Sequence, residues 1–307
     1  MLGVILGLIS ASAFGVNSII TRRGMLRVSS NYVATVTIFT GPIFFLIIAG
    51  LTGDLLKLRQ FQWQAYVFLA LSGISHFALG RTWGYRSIQL IGSTRSNIVT
   101  NMYPIVTIVF AMIILKESVT LIMVIGILFT LTGPLLIFLK EQVVPGNTQL
   151  KTYLQGRDLD RPTLHKGILY GMGAAFFWGS SAIFIKLGLE HGGSPIAGSL
   201  IAFLSASLAV GPSTLFNKEH RDEILNGDKQ SLKMALFSGL TSNIAQLMRY
   251  LALEFGSAIV ISLMVRTIPL WVLFFAFIFN REYESFSRFV LLGNALIIIG
   301  TVLILMS

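Results

Sequence analysis

GVILGLISASAFG at residues 3–15 returns in outline as GILYGMGAAFFWG at residues 167–179. Gly3, Gly7, Ala11 and Gly15 are spaced by four, and Gly167, Gly171, Ala175 and Gly179 repeat the series 164 positions later. Gly24 and Gly188 continue it at the same offset, while Pro104 and Glu117 recur as Pro269 and Glu282 at an offset of 165. A spacing of four stacks small residues on one helix face. In lipid such a face lets two backbones approach closely, and close packing is what holds membrane helices together. The chain therefore reads as one plan written twice. Each copy holds five apolar spans, and five is odd, so the second copy must cross the membrane inverted relative to the first.

Composition agrees. Of 307 residues, 54% are hydrophobic and 12% charged, with mean hydropathy +0.77; a soluble protein carries about 25% charged residues. Apolar runs long enough to span a bilayer are predicted near 2–20, 32–51, 63–84, 94–115, 119–139, 168–187, 196–216, 232–253, 258–279 and 289–306. The expected fold is an all-α integral membrane protein of ten transmembrane helices. Residues 1–139 form a first five-helix repeat, 140–166 a polar linker and 167–307 a second five-helix repeat. The linker carries Pro145-Gly146-Asn147 and the mixed-charge run Arg157 to Arg161, and a second polar loop runs from Asn217 to Lys229. The other connections are short, which predicts that consecutive helices are antiparallel neighbours.

Several functions are excluded or disfavoured. With no cysteines, thiolate metal sites, disulfides and a Cys nucleophile are ruled out. The net charge of +10 comes mostly from loop residues, which set topology and meet anionic lipid rather than nucleic acid. No H-E-x-x-H motif, intramembrane aspartate pair or partnered nucleophile points to an enzyme, and no P-loop points to ATP. No cofactor is expected. Ala11-Ser12-Ala13 resembles a signal-peptide cleavage site, but no Lys or Arg precedes it, so the first span is read as a helix.

Charge also bears on orientation. With a cytoplasmic N-terminus, the cytoplasmic loops hold four basic residues, Lys57, Arg59, Lys116 and Lys186, and the outer loops sixteen, Arg86 among them. The positive-inside rule therefore puts both termini outside.

Two stretches carry a family likeness. Ser93 to Gly133 contains Asn101-Met102-Tyr103-Pro104, Leu115-Lys116-Glu117, Gly126 and Gly133. Ser257 to Gly300 contains Thr267-Ile268-Pro269, Asn280-Arg281-Glu282, Gly293 and Gly300. Together they resemble the drug/metabolite transporter superfamily in its ten-helix, EamA-type branch, over nearly the whole chain. The resemblance implies an alternating-access carrier for a small metabolite, amino acid or drug-like compound. It also implies cytoplasmic termini, against the charge count. The four-helix exporters of that superfamily use a carboxylate in their first helix. Neither the first nor the sixth span here has one in its apolar stretch, so that proton-coupling mechanism is not carried over.

Polar residues at depth are the candidate substrate contacts. Arg266 lies well inside span nine, where an arginine costs about 2.5–3.5 kcal/mol and should face a cavity or the bundle interior. Ser262 and Pro269 share its face, and Asn97, Asn101 and Pro104 hold matching positions in the first half. Span eight adds Gln246 and Arg249 on the face of Ser242; Arg249 either lines the cavity or snorkels. Span three adds His76 and Arg81, five apart and so on different faces of an α-helix. Trp178 and Asn17 either wall the cavity or serve packing. Pro104, Pro269, Gly7, Gly15, Gly171 and Gly179 are expected to be structural. The leading reading is a secondary carrier of a small molecule, and with no acid among these groups the uncompensated positive charge favours an anionic substrate. Lipid flipping and a non-transporting scaffold or receptor are the alternatives, and a homodimer is left open.

Overall fold

The structure, a computed structural model, describes residues 1–24, 30–140, 161–216, 229–279 and 288–306. Every regular element among them is helical: α1 (Leu2–Gly24), α2 (Ser30–Thr52), a short α3 (Asp54–Lys57), α4 (Trp63–Gly73), a π-helical stretch (Ile74–Gly80), α5 (Arg81–Thr100), α6 (Tyr103–Ile114), α7 (Leu121–Lys140), α8 (Arg161–Glu190), α9 (Pro195–Phe216), α10 (Lys229–Phe255), α11 (Ala258–Val265), α12 (Ile268–Phe279) and α13 (Arg288–Leu305). Six spans among the described residues are long and apolar enough to cross a membrane, and the shorter apolar helices Ile98–Ile114 and Leu121–Leu136 accompany them. The protein is a multi-pass integral membrane protein.

Large apolar side chains such as Ile43 and Leu208 face outward, as lipid permits. Small residues set the helix contacts. A Cβ on Gly3 would lie 2.9 Å from the Phe255–Gly256 backbone, one on Gly7 3.1 Å from Met264, and one on Gly15 2.7 Å from Trp271. On α8, Gly167 meets Ile91, Gly171 meets Ser87 and Val99, and Gly179 meets the Tyr103 carbonyl and Val106. The partners of the two ladders are themselves 165 apart: Gly256 and Ile91, Met264 and Val99, Trp271 and Val106. A third seam is reciprocal, with Gly126 on Gly300 and Gly133 on Gly293.

These seams overturn the expectation that consecutive helices are neighbours. The main contacts of α1 are with α10, α11 and α12; those of α2 are with α9 and α10; α8 lies against α4, α5 and α6. The reason is physical: the face that permits closest approach matches a partner distant in sequence, while the loop only limits how far apart two spans can lie.

The spans also differ in detail from their predicted form. Residues 85–93, expected as a loop, lie inside α5. The path nevertheless reverses there, because Trp83, Ser87 and Ile91 descend along Gly173, Gly171 and Gly167, whereas Val99 and Val106 climb back along Gly171 and Gly179. The fourth and ninth spans are not continuous helices. Both break, at 101–102 and at 266–267. Pro104 and Pro269 start the half-helices α6 and α12, where a missing N–H breaks no helical bond. The expected linker is shorter at its far end, since residues 161–166 belong to α8; residues 141–160, 217–228 and Glu282 lie outside the described residues. Because α1 begins beside Gly256 and the end of α13 lies beside Gly126, both termini sit at one end of the bundle.

Candidate functional site

A cavity of about 450 Å³ lies in the half of the molecule away from the termini, between α2, α5, α8 and α9. Arg81 and Arg86 enter it from α5, with Trp83, Tyr85 and Tyr170 as aromatic walls and Thr35 across from them. Arg81 donates from Nη1 to the Ala34 carbonyl at 3.3 Å, and its guanidinium lies 5.5 Å from the centre of the Phe77 ring. Arg86, read from the sequence as a loop charge, is a cavity residue bonded to Gln89 at 3.2 Å.

Beneath the cavity floor is a buried polar cluster. His76, on the π-helical stretch, reaches Ser181 Oγ from Nδ1 at 3.1 Å and the Gln246 amide nitrogen from Nε2 at 3.1 Å. Arg249 donates to Ser181 Oγ at 3.1 Å and lies 3.4 Å from His76 Nδ1. Ser181 Oγ itself donates to the Trp178 carbonyl at 2.7 Å, so it accepts from Arg249. Gln246 Oε1 is buried without a partner. Arg249 is 6% exposed, so it does not snorkel. The wider π-helical turn also sets residues five apart, such as His76 and Arg81, closer in register than an α-helix would.

A second constellation sits where the two broken spans meet. Arg266, in the break between α11 and α12, donates from Nη1 to Asn101 Oδ1, in the break between α5 and α6. Its guanidinium stacks 3.8 Å from the centre of the Tyr103 ring, and Nε is buried without a partner. Arg266 does not share a continuous helical face with Ser262, as its spacing predicts: it leaves the helix, and Ser262 is buried in α11.

The remaining candidates divide. Asn17 accepts from Ser238 at 2.8 Å and from Thr241 at 3.1 Å, joining α1 to α10. Trp178 donates to the His76 carbonyl at 3.0 Å. The Asn97 side chain lies outside the described residues. The sequence reading missed Ser181, Tyr103 and the aromatic cavity walls. Ser181 had a signal, as a hydroxyl two residues beyond the Gly179 end of the ladder.

The electrostatics are one-sided. Among the described residues, no carboxylate pairs with Arg81, Arg249 or Arg266; their partners are carbonyl, hydroxyl, amide, ring-nitrogen and aromatic groups. The Lys57–Asp54 ion pair, at 2.8 Å, lies away from them at the termini end.

Comparison with known proteins places the chain. Residues 1–139 and 165–306 match the EamA-like transporter family, and the chain belongs to that family. It is 25% identical over 229 residues to the "Uncharacterized inner membrane transporter YhbE" of Escherichia coli strain K12, and equally to its counterpart in Shigella flexneri. The match covers 74% of this chain and 64% of those proteins. A protein of known crystal structure superimposes with a TM-score of 0.75 at 15% identity, covering 98% of this chain and 94% of the other. That likeness is one of fold alone.

Proposed function

We propose that this member of the EamA-like transporter family is an alternating-access carrier of a small organic anion in the cell membrane. It is built from two inverted five-helix halves, residues 1–139 and 167–307. The observation that carries the reading is the set of guanidinium groups, Arg81 in the cavity and Arg249 and Arg266 below it, none paired with a described carboxylate. A cation at bilayer depth costs about 2.5–3.5 kcal/mol, and a substrate anion would offset that cost at each stage of its passage. In this reading the solute enters at Arg81 and Arg86, then reaches Gln246 and Arg249. The halves rock about the junction of Arg266 with Asn101. The offset-related contacts of the two glycine ladders support the inverted halves, because equivalent seams on both sides permit equivalent packings in two states.

The lipid-handling alternative draws on a second cavity of about 330 Å³ lined by Leu8, Thr267, Trp271, Phe274 and Thr301. It offers hydroxyls but no charge to an anionic headgroup, so the small-solute reading is preferred. The test is uptake into proteoliposomes of benzoate, succinate, inorganic phosphate, glutamine and choline, for wild type and Arg249→Gln. Uptake of at least one anion, with loss in the variant, supports the proposal; preference for choline or glutamine overturns the anion assignment.

A further inference from the structure

The π-helical stretch Ile74–Gly80 interrupts an otherwise continuous helical path between α4 and α5. Such stretches are rare and recur at functional sites, since the wider turn is held only where the surroundings over-determine it. Here one turn of α8 supplies most of the polar contacts, while Phe77 packs on Phe203 of α9 at 4.2 Å and Gln246 of α10 meets His76. Ser75 donates to the Phe177 carbonyl at 2.7 Å and lies 3.0 Å from the Ser180 hydroxyl. His76 meets Ser181. At the end of the stretch the Arg81 N–H goes to the Ala78 carbonyl, while the His76 carbonyl takes the indole N–H of Trp178 at 3.0 Å.

The Trp178 ring also fits a notch made for it. A Cβ on Gly80 would come within 2.5 Å of its Cδ1, and one on Gly84 within 3.0 Å of its far edge. Two glycines a helical turn apart thus leave the space the indole fills, and the indole supplies a donor to the wider turn.

We propose that Trp178 is a positioning residue: it holds residues 74–80 in the π-helical form, which keeps His76 on Gln246 while Arg81 faces the cavity. Withdrawal of the indole converts the stretch to α-helix. His76 and Arg81 then turn onto different faces, as residues five apart on an α-helix do, and the cavity away from the termini closes. The conversion is thus the local step by which the carrier leaves the state described here. The idea rests on the carrier reading for its purpose, but the conformational step can be measured without any transported solute.

The chain has no cysteine, so Gln89→Cys in the cavity wall serves as a reporter for a membrane-impermeant maleimide. Trp178→Phe keeps a ring in the notch and removes the N–H. It should lower the labelling rate by roughly five-fold or more, as expected for a shifted two-state population, in protein that still elutes as a single folded species. Equal labelling of Trp178→Phe and wild type overturns the proposal. Should that variant not fold, Gly84→Ala provides the same reading. Its new methyl requires the indole to give by only a few tenths of an ångström, and unchanged labelling again overturns the proposal. A merely structural Trp178 would change the melting temperature and leave the labelling rate of folded protein alone. Labelling changes without any anion uptake would sink the carrier reading and leave this one standing.

Discussion

Arg249 is buried among a serine, an imidazole and an amide, with no described carboxylate beside it. Removing such a charge also removes its desolvation cost, so Arg249→Gln should melt at or above the wild-type temperature while anion uptake falls by about ten-fold or more, the reverse of a structural defect. A melting temperature far below wild type would show that the guanidinium holds the fold. Arg266 makes a different prediction. Its stack on Tyr103 should contribute about 0.5–2 kcal/mol, measurable as the coupling energy in a double-mutant cycle of Arg266→Gln and Tyr103→Leu; coupling near zero would dismiss the stack. The sequence exposed both arginines, because charge within an apolar run is conspicuous. It hid Tyr103 and Ser181, whose residue types are ordinary in membrane helices and acquire a role only from what crosses them.

Among the elements, the glycine ladders were legible from spacing; the breaks in the fourth and ninth spans were not read, although Pro104 and Pro269 stand just beyond them. The π-helical stretch was not, since no residue in ISHFALG forbids an α-helix and its cause lies on α8. Glu117 falls between. It stands at the end of an apolar run, where a cap is an ordinary role, but the helix it caps is not the one beside it in sequence. Its carboxylate accepts the N–H groups of Ala258 at 2.6 Å and Ile259 at 3.0 Å, at the start of α11. A carboxylate at a helix N-terminus satisfies orphan donors and meets the positive end of the dipole. Glu117→Gln should therefore destabilise the protein by about 0.5–2 kcal/mol, with faster amide exchange at Ala258 and Ile259 than elsewhere in α11. Uniform exchange along α11 would argue against the cap. Gly133 approaches the Gly293 carbonyl so closely that a Cβ would lie 2.5 Å away. Gly133→Leu should part α7 from α13 and leave no folded protein in mild detergent; a stable variant would mean that the seam is dispensable.

For the whole molecule, class and repeat followed from apolar content and from two matched series of small residues. Helix adjacency did not, because short loops left many arrangements open and only the small faces chose among them. The termini end is tied by local polar contacts, and one of them titrates. Burial pushes the Asp54 carboxyl up, but the Lys57 ammonium and the Thr52 and Ser194 hydroxyls outweigh it and hold it below the ordinary aspartate value. A lowered carboxyl stabilises fully above its unfolded-state value, near 3.9, and that stabilisation is lost as pH falls through the lower folded value. Asp54→Asn should thus lower the melting temperature at pH 7, by a margin that shrinks as pH falls below about 4; a constant difference would remove the assignment. The central claim, an anion carrier with one site reached from each side in turn, is tested most directly by counterflow. Proteoliposomes preloaded with the unlabelled anion that the uptake panel identifies are diluted into the same anion in labelled form at trace concentration. An alternating-access carrier makes the label rise inside above its final level and then fall. Label that climbs to equilibrium without overshoot, or never enters, would contradict the account.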